Sequence, residues 1–255
     1  MDVKFTDRQA LILSRVRETG SVAVAALAQD CGVSEMTIRR DLEALEGSGV
    51  VRRVHGGAVT GWNRGYEPAF SQRAAQNGDA KARIGRRCAD LIEEGETLFL
   101  DIGTTTLAAA HALAGRRGIT VITPNLRAAD ILVDNPGIRV ICLGGVVRTG
   151  ERCVTGVIAE RNLAEFFFDT CIVGVAGVSL QAGLTEFNVD DASLKRTAID
   201  HGRRIIALAD SSKLGQIALA TVAPLSRIST LITDADEKNE IVVGTRKAGA
   251  TVELV

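Results

Sequence analysis

The sequence predicts an α/β chain in two parts. A small helical unit closed by a β-hairpin spans residues 1–60, and a mostly parallel-sheet α/β domain spans 79–255, with a linker at 61–78. Three observations predict it. Residues 34–45 set an apolar stripe at helical spacing against a charged opposite side. From Thr97 onward, seven short apolar runs alternate with helical stretches, as in a sheet covered on both faces. The length, 255 residues, suits two domains or one large one, and the change of pattern along the chain selects two.

Composition narrows the class. Hydrophobic residues make up 46% and charged residues 24%, as in a soluble globular protein. Net charge is −1, so any nucleic-acid contact must come from a local cluster. Aromatics, at 4%, are too scarce for a binder that stacks single-stranded bases on rings. No apolar run approaches the roughly 20 residues of a membrane span. Met1–Phe5 lacks a signal-peptide core, so a cytoplasmic protein with no membrane association is expected. Cys31, Cys88, Cys142, Cys153 and Cys171 are odd in number and lack CxxC spacing, so they read as reduced thiols, mostly in the core. With only His55, His111 and His201 beside them, no metal site and no cofactor are expected.

The elements of the first part follow in order. Thr6-Asp7-Arg8-Gln9 is a capping box, so a helix starts near Asp7, with Leu11, Ile12 and Val16 inward and Gly20 at its end. Val24 to Cys31 is a second short helix, with Leu27 and Cys31 inward. Gly32-Val33 is a tight turn, and Ser34 caps a third helix. There Ile38, Leu42 and Leu45 form the buried stripe, and Met36, Arg40 and Glu43 fall opposite, flanked by Thr37 and Arg39. Gly47 and Gly49 stop this helix. Val50 to Val54 is a short β-branched strand, His55-Gly56-Gly57 a turn and Ala58-Val59-Thr60 a returning strand, with Arg52, Arg53 and His55 near the tip.

Two short helices joined by a tight turn, followed by a basic hairpin, match a winged helix-turn-helix. Its third helix, starting at Ser34, would lie in the major groove of double-stranded operator DNA. Met36, Thr37 and Arg40 would reach base edges, and Arg39, Arg52 and Arg53 would take phosphates, with His55 beside them. The competing reading is a solvated face whose arginines pair with Asp41, Glu43 and Glu46. A protein-interaction module is a third reading. The run Val33–Leu42, followed by Arg53-Val54-His55-Gly56-Gly57-Ala58, resembles the DeoR family of bacterial transcription regulators. That resemblance implies a winged helix-turn-helix, usually in a repressor.

Thr60 to Gly78 reads as a tether of moderate order, with Trp62, Tyr66 and Phe70 able to dock on either domain or on a second subunit. Asp79 to Ile92 has helical spacing, with Ala80, Ile84, Cys88, Leu91 and Ile92 on one side. The seven apolar runs then lie at 98–100, 120–123, 139–143, 171–174, 205–208, 230–232 and 251–254. In such sheets, ligands bind beyond the carboxyl ends of the strands.

The strand ends carry polar residues. Asp101-Ile102-Gly103-Thr104-Thr105-Thr106 follows the first run and opens a helix, where free N–H groups and hydroxyls suit a phosphate. It matches neither GxxxxGK[ST] nor GxGxxG, so a nucleotide is not indicated. Asn125 follows the second run, Gly144-Gly145 the third and Asp210-Ser211-Ser212-Lys213 the fifth. Lys213 could neutralise phosphate, and Asp210 and Asn125 could take sugar hydroxyls. Lys195 is either a further cation of the site or a solvated partner for Asp191. These strand ends, with Gly183-Leu184-Thr185, again resemble the DeoR sensor domain, which is similar in fold to ribose-5-phosphate isomerase and the coenzyme A transferases. The resemblance implies a phosphorylated sugar effector held by the Thr104–Thr106 loop, with Lys213 nearby.

The rival function is a sugar-phosphate isomerase joined to a DNA reader. Enolisation needs a base, and Val175-Ala176-Gly177-Val178 offers no acid where the isomerases carry one, although Asp101, Glu186 and Asp210 remain candidates. The expectation is therefore a non-enzymatic repressor of a carbohydrate operon. It would act as a homo-oligomer, because one winged helix covers too few base pairs to select one genomic site.

Overall fold

The computed structural model describes residues 6–19, 21–47, 51–60 and 64–255, in two compact units, Met1–Pro68 and Ala69–Val255. The expectations placed on Met1–Phe5, Gly20, Gly49, Val50, Gly61 and Trp62 lie outside the described residues.

The first unit runs α1 (Asp7–Thr19), β1 (Ser21–Ala23), α2 (Val24–Cys31), α3 (Glu35–Gly47), β2 (Val51–Val54) and β3 (Gly57–Thr60). The capping box forms reciprocally: the Gln9 N–H donates to Thr6 Oγ1 and the Thr6 N–H to Gln9 Oε1. Ile12, Leu13 and Val16 of α1 pack with Leu27 of α2 and with Ile38, Leu42 and Leu45 of α3. Leu11, expected inward, is 43% exposed, and Leu13 takes its place. At about 100° per residue, a stripe centred on Ile12, Leu13 and Val16 leaves Leu11 on the far side. β2 and β3 make the hairpin, with Arg52 opposite Val59 and Val54 opposite Gly57. β1 adds a third strand by pairing Ser21 with Val59.

The second unit begins with α4 (Phe70–Ala75) and α5 (Gly78–Asp90), then β4 (Thr97–Leu100), α6 (Thr104–Leu113), β5 (Ile119–Thr123), α7 (Leu126–Val133) and β6 (Ile138–Cys142). A hairpin of β7 (Val146–Arg148) and β8 (Cys153–Thr155) leads to α8 (Val157–Leu163) and β9 (Phe168–Gly174). β10 (Gly177–Ser179), β11 (Gly183–Glu186), α9 (Val189–His201), β12 (Gly202–Leu208) and β13 (Ala220–Ala223) follow, then β14 (Thr230–Thr233), α10 (Glu240–Lys247) and β15 (Thr251–Leu254). The seven expected runs are the seven strands of one sheet, ordered β15-β14-β12-β9-β4-β5-β6 and parallel throughout.

Both faces of the central strands of that sheet are buried, which is why those strands read as apolar runs, while the edge strands β6 and β15 are partly exposed. Leu98 and Leu100 face one core with α5 and α6, while Phe99 faces the other with α8 and α9. The winding direction reverses between β4 and β9, and such a switch opens a crevice at the carboxyl ends. β10, β11 and β13 form a separate antiparallel sheet.

The tether expected at 61–78 is divided. Tyr66 stays with the first unit, its ring 5.5 Å beneath the Arg52 guanidinium. From Ala69 the chain belongs to the second unit, because its side chains find partners there. Arg127 stacks over Phe70 at 4.2 Å, and Arg73 pairs with Glu151.

α5 packs closely on α6 at Gly85, where an added Cβ would come within 2.6 Å of the Ala108 backbone. We expect Gly85→Ala to destabilise the second unit by about 1–3 kcal/mol, read as a lower denaturation midpoint for that unit.

Candidate functional site

The reader surface is built on α3. Ser34 Oγ accepts the Thr37 N–H at 3.3 Å, and the two hydroxyls lie 3.0 Å apart, so this cap sets the start of the helix. Ile38, Leu42 and Leu45 are at most 1% exposed, which turns Met36, Arg39, Arg40 and Glu43 to the surface. Arg39 pairs with Glu35 at 3.0 Å. Arg53 lies 3.9 Å from both Glu43 and Glu46, as the solvated-face reading anticipated for this residue. Such exposed pairs are worth little and can be exchanged for phosphates. Arg40 makes no ion pair among the described residues. His55 is exposed at the tip of the hairpin.

The second site lies at the carboxyl edge of the parallel sheet. Asp101 leaves β4 and is 1% exposed. Its Oδ2 accepts the Gly174 N–H at 3.0 Å, across the switch between β4 and β9. Lys195, from α9, enters the same point and is 2% exposed. Its Nζ lies 2.8 Å from Asp101 Oδ2, 2.7 Å from Glu186 Oε2 and 2.7 Å from the Gly174 carbonyl. Burial opposes its charge, but Asp101 and Glu186 outweigh burial and hold the ammonium protonated. Lys195 is therefore not the solvated partner of Asp191 that its spacing allowed. Asp191 is also buried, and its Oδ2 pairs with Arg148 of β7. Burial pushes its carboxyl up to about 7 against the pull of Lys195 and Arg148.

Beside this cluster stands a group of cations. Asn77, just before α5, donates to Asp210 Oδ1 at 2.9 Å, so α5 starts at the strand end that carries Asp210. Lys81, one turn further on, donates to the carbonyls of Arg73 and Gln76. Burial lowers its ammonium to about 8, with Asp210 opposing and Lys213 and Arg73 adding repulsion. Lys213 is lowered by burial as well, with Asp210 opposing and Arg73 repelling. α6 opens at the same edge, because it leaves the carboxyl end of β4. Gly103 makes this entry at φ 122°, a backbone region that L-residues avoid. Thr104 is half-buried and Thr105 is buried at the first turn.

Several expected ligands are committed elsewhere. Asn125 is a helix cap, its Oδ1 accepting the N–H groups of Arg127 and Ala128. Thr106 is fully buried and donates its hydroxyl to the Gly103 carbonyl at 3.0 Å. Gly144 is bonded through its N–H to Asn162, and Gly145 packs beside α8. Asp210 accepts from Asn77 and from Ser212. Sequence reasoning missed Arg73, Lys81, Arg148, Glu151 and Asp191. Arg73 fell in the stretch read as a tether, and Lys81 on a helix read for its apolar face. The three buried residues among them, Lys81, Glu151 and Asp191, carry no local motif.

Residues 8–61 match the model of the DeoR-like helix-turn-helix domain, and residues 76–235 match that of the DeoR C terminal sensor domain. The chain belongs to the DeoR family. It is a DNA-binding transcriptional regulator with a reader unit and a sensor unit. It is 34% identical over 248 residues to the HTH-type transcriptional regulator GolR of Listeria innocua, covering 97% of this chain and 98% of that protein. It is 33% identical over 233 residues to the glycerol-3-phosphate regulon repressor of Escherichia coli K12, covering 91% and 92%. A putative aga operon transcriptional repressor of Escherichia coli O157:H7 is 32% identical over 252 residues, covering 98% and 94%. Among solved structures, ribose 5-phosphate isomerase A of Methanocaldococcus jannaschii aligns over 55% of both chains with a TM-score of 0.42 and 16% identity. Among the described residues, no helix is long and apolar enough to cross a membrane.

The lowered Lys81 gives the sensor edge a pH signature. An ammonium attracts an anion only while protonated, so attraction is present below pH 8 and lost as pH rises through it. Calorimetric titration with inorganic phosphate should show affinity falling by up to about tenfold between pH 8 and pH 9. Lys81→Arg should flatten that profile.

Proposed function

We propose that the protein represses a carbohydrate-metabolism operon and that a phosphorylated sugar at the sensor edge modulates its grip on operator DNA. The observation that carries this reading is that Lys81 and Lys213 share Asp210 at the end of β12, at the same carboxyl edge of the sheet from which α6 starts after β4. One buried and one half-buried ammonium group and the positive end of a helix suit a dianionic phosphate. The Thr104 and Thr105 hydroxyls at the first turn add donors. The repressor names among the relatives support the regulatory half of the reading.

The site binds and does not catalyse. Each carboxylate considered as a base holds a group of the fold through at least one oxygen: Asp101 and Glu186 hold Lys195, and Asp210 holds Asn77 and Ser212. Incubation with ribose 5-phosphate or glucosamine 6-phosphate should give no turnover.

The segment that couples the units is α4, the first element after their boundary. Arg73 ties it to Glu151 between β7 and β8, and Lys81 holds the carbonyls of Arg73 and Gln76. An anion that draws Lys81 away from those carbonyls loosens α4 and alters how the reader unit is presented. The functional form is a homo-oligomer on repeated half-sites, since the reader helix of one subunit spans too few bases.

The tests separate the two units. Arg40→Ala should weaken operator binding by about 1–3 kcal/mol, and by less on DNA altered at the contacted base, in gel-shift titrations at fixed salt. Lys213→Ala should bind operator normally but no longer respond to sugar phosphate. Glu151→Gln should bind both operator and sugar phosphate, with the effect of one on the other reduced. Loss of operator binding by a folded Lys213→Ala protein would overturn this division of labour.

A further inference from the structure

We infer that Asp101 and Asp191 form an acceptor subsite for the hydroxyl groups of the ligand, so that the sensor selects a polyhydroxylated sugar phosphate over a bare or sparsely hydroxylated phosphate. This rests on the reading of the sensor edge as a sugar-phosphate site, and it assigns the half of the ligand that the cations do not hold.

Both carboxylates are 1% exposed, and each is only half engaged. Asp101 uses Oδ2 for the Gly174 N–H and for Lys195, and Asp191 uses Oδ2 for Arg148. Asp101 Oδ1 and Asp191 Oδ1 have no hydrogen-bond partner among the described residues. A buried carboxylate oxygen without a donor is uncommon and calls for a partner that arrives from outside the fold. The two groups belong to one neighbourhood. Lys195 stands one turn after Asp191 on α9 and reaches Asp101 Oδ2 at 2.8 Å, so it lies between the two carboxylates.

The chemistry of that neighbourhood selects the donor. Asp101, Glu186 and Asp191 face Lys195 and Arg148, so the cluster has more acceptors than its cations can saturate. Lys195 already has three oxygen partners and nothing left to offer an anion. A second phosphate is therefore disfavoured here, and neutral O–H donors are favoured. Two acceptors on separate elements, the loop after β4 and the first turn of α9, suit hydroxyls on different carbons of one chain. The cations at Lys81 and Lys213 then take the phosphate end. Arg148 ties the β7–β8 hairpin to the acceptor half at Asp191.

The experiment titrates the full-length protein calorimetrically with inorganic phosphate, glycerol 3-phosphate, 2-deoxyribose 5-phosphate, ribose 5-phosphate and fructose 6-phosphate. In the wild-type protein, at least one of the two fully hydroxylated sugars should bind tenfold or more tightly than glycerol 3-phosphate. Asp191→Asn should cost that sugar tenfold or more while leaving inorganic phosphate within twofold. Equal affinity across the series overturns the acceptor subsite and leaves the phosphate site standing. So does an equal loss for phosphate and sugar in Asp191→Asn. If that variant fails to fold, the wild-type series alone decides. Tighter binding of magnesium or calcium to the wild-type protein than to Asp191→Asn, with no sugar preference, assigns the oxygens to a cation and also overturns the inference. An absence of binding by every phosphate overturns the inference together with the effector reading.

Discussion

The sensor unit depends on the contact between the Lys195 ammonium and the two carboxylates of Asp101 and Glu186. Burying a charge is costly unless it is paired and its hydrogen bonds are satisfied. Here one ammonium has three oxygen partners within 2.8 Å. They come from the end of β4, the end of β11 and the last carbonyl of β9, and Lys195 itself comes from α9. One charge thereby ties four elements at the point where the sheet reverses its winding. That reversal leaves a crevice which side chains must either fill or present to a ligand. The Lys195 cluster fills its centre and fixes the loops on either side.

Its saturation decides how the surrounding charges divide. Because Lys195 is spent on Asp101 and Glu186, the attraction for an anion falls to Lys81 and Lys213, which have Asp210 as their shared carboxylate. Lys81 is held near 8, so it stays charged at neutral pH but is incompletely neutralised by the fold. Asp191, by contrast, is held near 7 and keeps one oxygen without a hydrogen-bond partner among the described residues. The edge is therefore polarised, with surplus cation beside surplus acceptor. A ligand with a dianionic end and a hydroxylated body matches both halves, whereas an isolated phosphate matches one.

The parts legible in the sequence were those with a strong period or a strong local motif. All seven strands of the parallel sheet were readable as short apolar runs, continuous in the central strands and interrupted by Arg139 and Glu253 in the partly exposed edge strands β6 and β15. The reader helix was readable because Ile38, Leu42 and Leu45 repeat at helical spacing and Ser34 caps them. β1, β7, β8 and β10 are three residues each, too short to show a period. Leu11 misled because an apolar residue one position off the stripe looks the same in composition. Asn125 sits at a strand end like a ligand, but the same position is a helix N-cap, and one amide oxygen cannot easily serve both. Lys81 and Asp191 were invisible for a different reason. Their significance comes from burial and from partners far along the chain, and neither property has a signature in neighbouring residues.

The coupling between the units need not involve a large rearrangement. A tenfold change in operator affinity corresponds to about 1.4 kcal/mol of differential stability between two arrangements. A part-buried hydrogen bond to a charged group is worth about 1.5–3 kcal/mol. Lys81 makes two such bonds, both to carbonyls of the segment that follows the reader unit. Losing either one to a competing phosphate is of the right size to shift the balance. The remaining ties of α4, Arg73 to Glu151 and Phe70 to Arg127, would keep the segment docked while its end is released. Regulation by a small bias on a held segment is consistent with a sensor whose core stays fixed by Lys195 and whose Lys81 is bonded to the chain leading to the DNA reader.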